Sequence, residues 1–195
     1  MSDKVELVYF NVQGRGTIIR MLLRIWGGDW EDNTVSADKA TWTEKKPEFE
    51  REALGALPLL KLNGQTFCQT DAITEWAADK AGVISDDPVQ RLKEKMITET
   101  FKEVGEKAFM AGMFAAAKVL GKDIMGLPEE EREERNKVFV PTMVQTATAM
   151  LPRVEKVLKD LNLTGEGKYL FGDSISVADL QVSRFCFCKV PSCNL

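Results

Sequence analysis

The chain has 195 residues, enough for one large domain or two small ones, and 26 basic against 30 acidic side chains leave a formal charge of −4. No basic surface advertises nucleic acid, so any anion site must be local. Histidine is absent, which excludes Ser-His and Cys-His nucleophile pairs and His-ligated zinc, because each needs an imidazole.

No apolar run is long enough to span a bilayer, and Met1 to Lys4 leads straight into a strand, so a cytoplasmic protein without membrane contact is the expectation. Of the cysteines, Cys68 stands apart, and Cys186, Cys188 and Cys193 cluster near the end. They make a poor disulfide framework and, lacking a clear fourth ligand, a weak metal site, so no metal is expected. Acid–base or nucleophile work falls to Tyr, Lys, Asp, Glu and Cys, and the two tyrosines are Tyr9 and Tyr169.

In chain order, Val5 to Phe10 reads as a buried strand, and Asn11 to Gly16 as a loop punctuated by Gly14 and Gly16. From Thr17, the apolar positions Ile18, Ile19, Leu22, Leu23 and Trp26 mark one face of a helix, with Arg20 and Arg24 on another and Gly27-Gly28 as its stop. A strand near Asn33 to Val35 follows. Leu59 to Leu62 and Thr66 to Gln69 flank Asn63-Gly64, a strong hairpin signal. A helix begins at once, capped by Thr70 or Asp71, with Ala72, Ile73, Trp76 and Ala77 at helical spacing and Gly82 at its end. The order is βαβ then ββα, a small α/β unit. Gln69-Thr70 sits where a strand hands over to a helix N-terminus, whose free N–H groups and dipole favour a small carboxylate.

Past Ser85-Asp86-Asp87-Pro88 no strand-like alternation remains. Leu92, Met96, Phe101, Val104 and Ala108 recur at helical spacing, as do Val144, Ala147, Leu151, Val154, Leu158 and Leu161. Leu127-Pro128-Glu129-Glu130-Glu131 reads as a helix start, with proline in the first turn and acids complementing the dipole. Ser176 and Asp179 form a variant capping box, with Ile175 and Leu180 as its staple. The expected division is 1–82, an α/β unit; 83–87, a linker; and 88–195, all helical.

Several motifs in this order carry a resemblance: Tyr9-Phe10-Asn11 with Gly14-Arg15-Gly16, Trp42 with Lys46, Ala56-Leu57-Pro58, Gln69-Thr70-Asp71-Ala72-Ile73, Ile97-Thr98-Glu99-Thr100, and the Ser176–Asp179 box. From about Val5 to about Leu180 the chain resembles the cytosolic glutathione transferases, most of all the sigma class, which includes haematopoietic-type prostaglandin D synthases and cephalopod lens S-crystallins. The resemblance implies a thioredoxin-like N-terminal domain, an all-α C-terminal bundle, glutathione as co-substrate, a hydrophobic electrophile and a homodimer. It implies that Tyr9 hydrogen-bonds the glutathione sulfur and lowers a thiol pKa that starts near ~8.5, and that Arg15 adds positive potential there. Leu57, ahead of a cis-type Pro58, would pair its backbone with the cysteinyl part. Gln69 and Thr70 would grip the γ-glutamyl end. Trp42 and Lys46 would meet the glycyl carboxylate, Lys45 replacing Lys46 if the register slips. Glu103 stands where the family has an Asp that reaches the glutathione ammonium across the dimer.

Phe109, Met113 and Phe114 would line the electrophile pocket, each equally readable as bundle core. Detoxifying conjugation is the reading these residues support, with glutathione-dependent isomerisation or a non-enzymatic, S-crystallin-like role as alternatives. Family members continue through further helices beyond the Ser176 box, whereas this sequence ends at Leu195. The resemblance therefore implies a shortened helical part, with every glutathione residue ahead of the break.

Overall fold

The computed structural model describes residues 3–53, 55–124, 127–163 and 167–187, and divides into two compact units, Met1–Val83 and Ile84–Leu195.

The first unit runs β1 (Val5–Phe10), α1 (Arg15–Trp26), β2 (Trp30–Val35), α2 (Lys39–Ala53), β3 (Leu59–Leu62), β4 (Gln65–Cys68) and α3 (Thr70–Lys80). Its four-stranded sheet has the order β2-β1-β3-β4, with β1 parallel to β2 and antiparallel to β3. Leu7 pairs with Leu60 and Val8 with Leu59, and all four are essentially excluded from solvent, so β1 and β3 form the sheet's dry centre. Alternate residues point to opposite faces. The apolar side of α1, Ile18, Ile19, Leu22 and Leu23, is buried, and α1 packs against α3. A second cluster gathers Val8, Tyr9, Val35, Phe49, Leu57 and Leu59, with Phe10, Trp42 and Cys68 against it.

Local chemistry sets the ends of these elements. Gly27 closes α1 at φ +68°, its N–H donating to Leu23 C=O at 3.2 Å. Asn63 (φ +52°) and Gly64 (φ +85°) turn the β3–β4 hairpin, both with the positive φ such a two-residue turn demands. The hairpin also pins the start of the chain: Lys4 N–H donates to Asn63 Oδ1 at 2.9 Å, and Lys80 Nζ reaches Asp3 at 2.7 Å. The Lys80 hydrogen bond, and after it that from Asn63, holds the Asp3 carboxyl below the usual carboxylate range.

Two expectations need correction here. Helix α2 goes unread in the sequence, because its fifteen residues are dominated by charge and carry Pro47 inside. It buries little beyond Phe49, so no apolar stripe announces it. Its start is nonetheless encoded. Asp38 Oδ1 accepts from Thr41 N–H at 2.9 Å and Oδ2 from the Ser36 hydroxyl at 2.6 Å, and these bonds, Ser36 first, lower the Asp38 carboxyl to about 2. Strand β2 begins at Trp30 rather than Asn33. Residues 31–34 are exposed on this edge strand, so alternation fails while the backbone still pairs with β1.

The second unit contains α4 (Pro88–Leu120), α5 (Glu129–Asp160) and α6 (Val177–Phe187). Asp87 caps α4 by accepting from Val89 N–H at 2.9 Å, Pro88 takes the first turn, and Gly121 closes the helix at φ +66°. Helix α5 starts at Glu129, after Pro128, and runs unbroken past Pro141 and Pro152. Glu103 faces Arg153 and Gly112 faces Phe139, so α4 and α5 run antiparallel. A Cβ on Gly112 would stand 2.8 Å from the Phe139 carbonyl oxygen, which explains a glycine at that crossing. Ile97, Phe101, Val104 and Ala108 of α4 meet Ala147 and Val154 of α5 and Ala178 of α6. The Ser176–Asp179 box forms reciprocally. Ser176 N–H and its hydroxyl donate to Asp179 Oδ2 at 2.9 and 2.7 Å, Asp179 N–H reaches Ser176 Oγ at 3.4 Å, and Asp179 Oδ1 also accepts from Leu170 N–H.

Glu94 on α4 is buried, 6% exposed, with Gln90 Nε2 donating to it at 2.9 Å. Burial, with the Asp179 charge adding to it, raises its carboxyl above the usual range against the opposing Gln90 bond. A raised carboxylate means that the folded chain holds its proton more tightly than the unfolded one. The folded state is therefore favoured below the unfolded value and loses that advantage as pH rises through the folded value. Glu94→Gln should raise the melting temperature at neutral pH by about 2–4 °C, the shift that about 1 kcal/mol makes in a chain of this size. Melts taken at successively lower pH should show the gap closing as the wild-type carboxyl takes up its proton.

Candidate functional site

The first unit's candidate site is built at the C-terminal end of β1. Tyr9, 6% exposed, sends its ring past the loop to the start of α1, where its Oη accepts a hydrogen bond from Arg15 N–H at 2.9 Å. That amide belongs to the first residue of α1, one of the helix's N–H groups without an intrahelical acceptor. The phenol oxygen thus caps the helix, and the positive end of the helix dipole points at it. With its oxygen accepting from the backbone, the hydroxyl keeps its own proton to donate.

The glycines on either side of Arg15 make this approach possible. A Cβ on Gly14 would lie 2.6 Å from Tyr9 Oη, and one on Gly16 would lie 2.4 Å from Tyr9 Cδ1. Gly14 N–H meanwhile donates to Thr17 Oγ1 at 2.9 Å, which fixes the helix entry. The Arg15 side chain is exposed, and its guanidinium has no ion pair among the described residues. Arg15 thus puts an exposed cationic residue at the N-terminus of the helix whose first amide meets the Tyr9 oxygen.

Of the other predicted residues of this unit, Trp42 and Leu57 belong to the same apolar cluster as Tyr9. Trp42, half-buried on α2, packs edge-on to Phe10 at 4.9 Å and stacks on Phe49 at 5.9 Å, and Phe10 in turn meets Tyr9 edge-on at 5.6 Å. An aromatic chain thus links α2 to Tyr9. Lys46, one turn beyond Trp42, pairs with Glu50 at 3.3 Å across an exposed helix face, a weak and breakable contact. Lys45 turns elsewhere and lines a polar cleft of about 210 Å³ between β2 and α2, facing Asn33 and Lys61.

The Leu57-Pro58 peptide is cis. Leu57 lies ahead of the β1–β3 ladder, which begins at Leu59, and its N–H and C=O make none of the loop hydrogen bonds among the described residues. An extended ligand backbone can use both. Gln69 holds φ +75°, ψ 116°, a conformation that L side chains rarely adopt, and its side chain caps nothing. Its C=O accepts from Ile73 N–H at 3.1 Å, so the strained residue launches α3 directly, and Thr70 brings its hydroxyl to the first turn.

Glu103 lies in the second unit. Its carboxylate accepts from Lys107 Nζ at 2.6 Å and stands 3.6 Å from Arg153, and these partners, Lys107 first, hold it below the usual range. Phe109 and Phe114 are exposed on α4, whereas Met113 packs against Ala116, Ile124 and Leu127 as core. Among the described residues no group of His, Cys, Asp and Glu could hold a metal ion, and no helix is long and apolar enough to cross a membrane. The side chains of Cys186, Cys188 and Cys193 lie outside the described residues.

The sequence reading passed over the work of Gly14 and Gly16 and the pair Arg20–Asp32. Glycines spaced two apart after a strand that closes on Tyr9-Phe10 were the available signal for the first. Nothing local signals the second, whose partners are 12 residues apart.

Residues 122–189 match the family model described as "Glutathione S-transferase, C-terminal domain". The chain is 28% identical to Glutathione S-transferase 3 of Caenorhabditis elegans, over 91% of this chain and 76% of that protein. It is 27% identical to hematopoietic prostaglandin D synthase of Gallus gallus, over 89% of this chain and 73% of that one. Among solved structures, a Nu-class GST from Haemonchus contortus superposes with a TM-score of 0.61 at 27% identity, covering 93% of this chain and 78% of the other. The monomeric Na-GST-3 of the hookworm Necator americanus gives a TM-score of 0.59 at 26% identity, covering 92% and 78%. The chain is thus similar to glutathione S-transferases: it shares a thioredoxin-like fold followed by a helical region, and residues 122–189 match the model of their C-terminal domain.

The Gly16 contact generates a direct expectation. Gly16→Ala should push the Tyr9 ring off α1 and destabilise the fold by about 1–3 kcal/mol, the usual cost of overpacking. A chemical-denaturation midpoint reads the stability, and the aromatic NMR signals of Tyr9 read the displacement.

Proposed function

We propose that the protein is a glutathione transferase that activates glutathione as its thiolate and joins it to electrophilic small molecules. The observation that carries this reading is Tyr9, whose Oη accepts from Arg15 N–H and whose proton remains to be donated. The thiol of glutathione gives its proton to solvent, and the thiolate accepts a hydrogen bond from Tyr9, which stays protonated. The sulfur lone pair then forms a C–S bond. A leaving group departs with its electron pair in substitution, or the carbanion formed takes a proton from solvent in addition. Arg15 adds a fixed positive charge on the same side.

Leu57 offers its N–H and C=O to the cysteinyl residue. Gln69 and Thr70 hold the γ-glutamyl carboxylate at the start of α3, with the helix dipole favouring that charge. Trp42 Nε1 and Lys46 Nζ take the glycyl carboxylate, Lys46 exchanging Glu50 for it. The pattern of Trp42, Lys46 and Gln69-Thr70 supports a sigma-type site, and the role this suggests is cytoplasmic detoxification.

The resemblance to a prostaglandin D synthase favours one further reading, isomerisation of a lipid endoperoxide by the same thiolate. Glutathione would then be regenerated rather than consumed. Product analysis separates the two reactions.

Retention on immobilised glutathione, followed by conjugation of an aryl halide, tests the core of the proposal. Tyr9→Phe should lower turnover by roughly one to three orders of magnitude while binding persists, the cost of losing one anion-stabilising donor. An unchanged rate would remove Tyr9 from the mechanism, and a folded protein that does not bind glutathione would end the reading.

A homodimer in which Glu103 meets the glutathione ammonium of the neighbouring copy completes the proposal. Sedimentation equilibrium at micromolar concentration should then give twice the chain mass, unlike the hookworm Na-GST-3, which is described as monomeric.

A further inference from the structure

Arg20 is engaged well beyond a surface ion pair. Its Nε donates to Asp32 Oδ2 at 2.8 Å and its Nη2 to Asp32 Oδ1 at 3.0 Å, the two-pronged geometry that suits a guanidinium and a carboxylate. Nη2 also donates to Phe10 C=O at 3.1 Å, and Nη1 to Val12 C=O at 3.4 Å. Its central carbon stands 5.5 Å from the centroid of the Tyr9 ring, within the range where a cation is attracted to an aromatic face. The side chain is 15% exposed, so these contacts replace much of its hydration.

One side chain on α1 therefore ties together β2, the last residue of β1 and the loop that follows. Residues 11–14 are all that separate β1 from α1, and at their end come the Gly14 backbone and the Arg15 amide that touch Tyr9 Oη. The charged group against the ring is Arg20 from α1, with Asp32 from β2 facing it, and Arg15 meets Tyr9 through its backbone amide.

We propose that Arg20, anchored by Asp32, is a positioning residue for thiolate formation. It holds the 11–14 loop so that Arg15 N–H meets Tyr9 Oη, and it places a cation against the ring that makes the hydroxyl a stronger donor to the sulfur. This rests on Tyr9 acting on glutathione as described above. Lysine at this position would keep the charge, but it could not fork onto Asp32 and reach two carbonyls as well.

The test uses the full chain as wild type, Arg20→Gln, Arg20→Lys and Asp32→Asn, with two readouts. The first is the pH profile of kcat/KM for an aryl halide with glutathione. The acid limb, which reports the bound thiol, should move up by about 0.5–1 pH unit in Arg20→Gln, lowering the rate about 3–10-fold on that limb. Arg20→Lys should recover part of the shift. The second readout needs no glutathione: amide hydrogen exchange at Arg15 should speed up in all three variants while Leu22 and Leu23 in the same helix stay protected. An unmoved acid limb, with activity lost only in proportion to unfolded protein, would overturn the proposal, as would full Arg15 protection in Arg20→Gln. Should Arg20→Gln not fold, Arg20→Lys and Asp32→Asn decide by the same two readouts. Wild type that fails to bind glutathione would refute the transferase reading instead, and the Arg15 exchange result would then stand alone on whether Arg20 sets the loop.

Discussion

The first unit depends on one hydrogen bond, from the first amide of α1 to the hydroxyl oxygen of Tyr9. A helix start leaves N–H groups without acceptors, and a buried phenol needs a partner. Each satisfies the other. The solution requires the chain to leave β1, turn within four residues and return its backbone to van der Waals contact with the ring, which side chains at 14 and 16 would prevent. The same geometry aims a helix dipole and a hydroxyl donor at one point, so a stable local structure is also a place where negative charge is favoured.

Around that bond the remaining features are ordinary packing turned to one purpose. The aromatic chain from Tyr9 through Phe10 to Trp42 and Phe49 seats α2, a helix with too little apolar surface to seat itself. Asp38 caps it, and β1 and β3 bury the centre on which both faces rest. Backbone strain collects at Gln69, where β4 hands over to α3, rather than in the core. In the second unit the long α4 and α5 helices close over a small-residue crossing at Gly112, and α6 is entered through the Ser176–Asp179 box, whose acid also holds Leu170.

Lys46 and Glu103 already have partners, Glu50 for one and Lys107 with Arg153 for the other. Both sets of contacts are solvent-exposed, where ion pairs exchange at little cost. Ligand binding can draw on such residues, whereas Tyr9, Leu57 and the cis Pro58 are set in place by the fold beforehand. The chemistry thus divides between groups fixed by burial and charges that can reorient.

Much of this was legible in the sequence because it is local. Periodicity marked α1, α3, α4 and α5 as helices, though Leu92, Met96 and Val144 of the last two apolar series are exposed. Asn63-Gly64 marked the hairpin, Gly27 the end of α1, Pro128 the start of α5, and Ser176 with Asp179 the entry to α6; each depends on residues within a few positions of one another. Zero histidines and the order of the Tyr9, Leu57-Pro58 and Gln69-Thr70 motifs narrowed the chemistry further. Tertiary structure alone decided the rest. Helix α2 owes its existence to what Phe49 and Trp42 pack on, β2 to pairing with β1, Met113 to a neighbouring cluster, and the fork of Arg20 on Asp32 to a strand 12 residues away. Local patterns report what a residue's own backbone prefers. Burial, pairing and charge contacts between distant segments exist only once the chain has closed on itself.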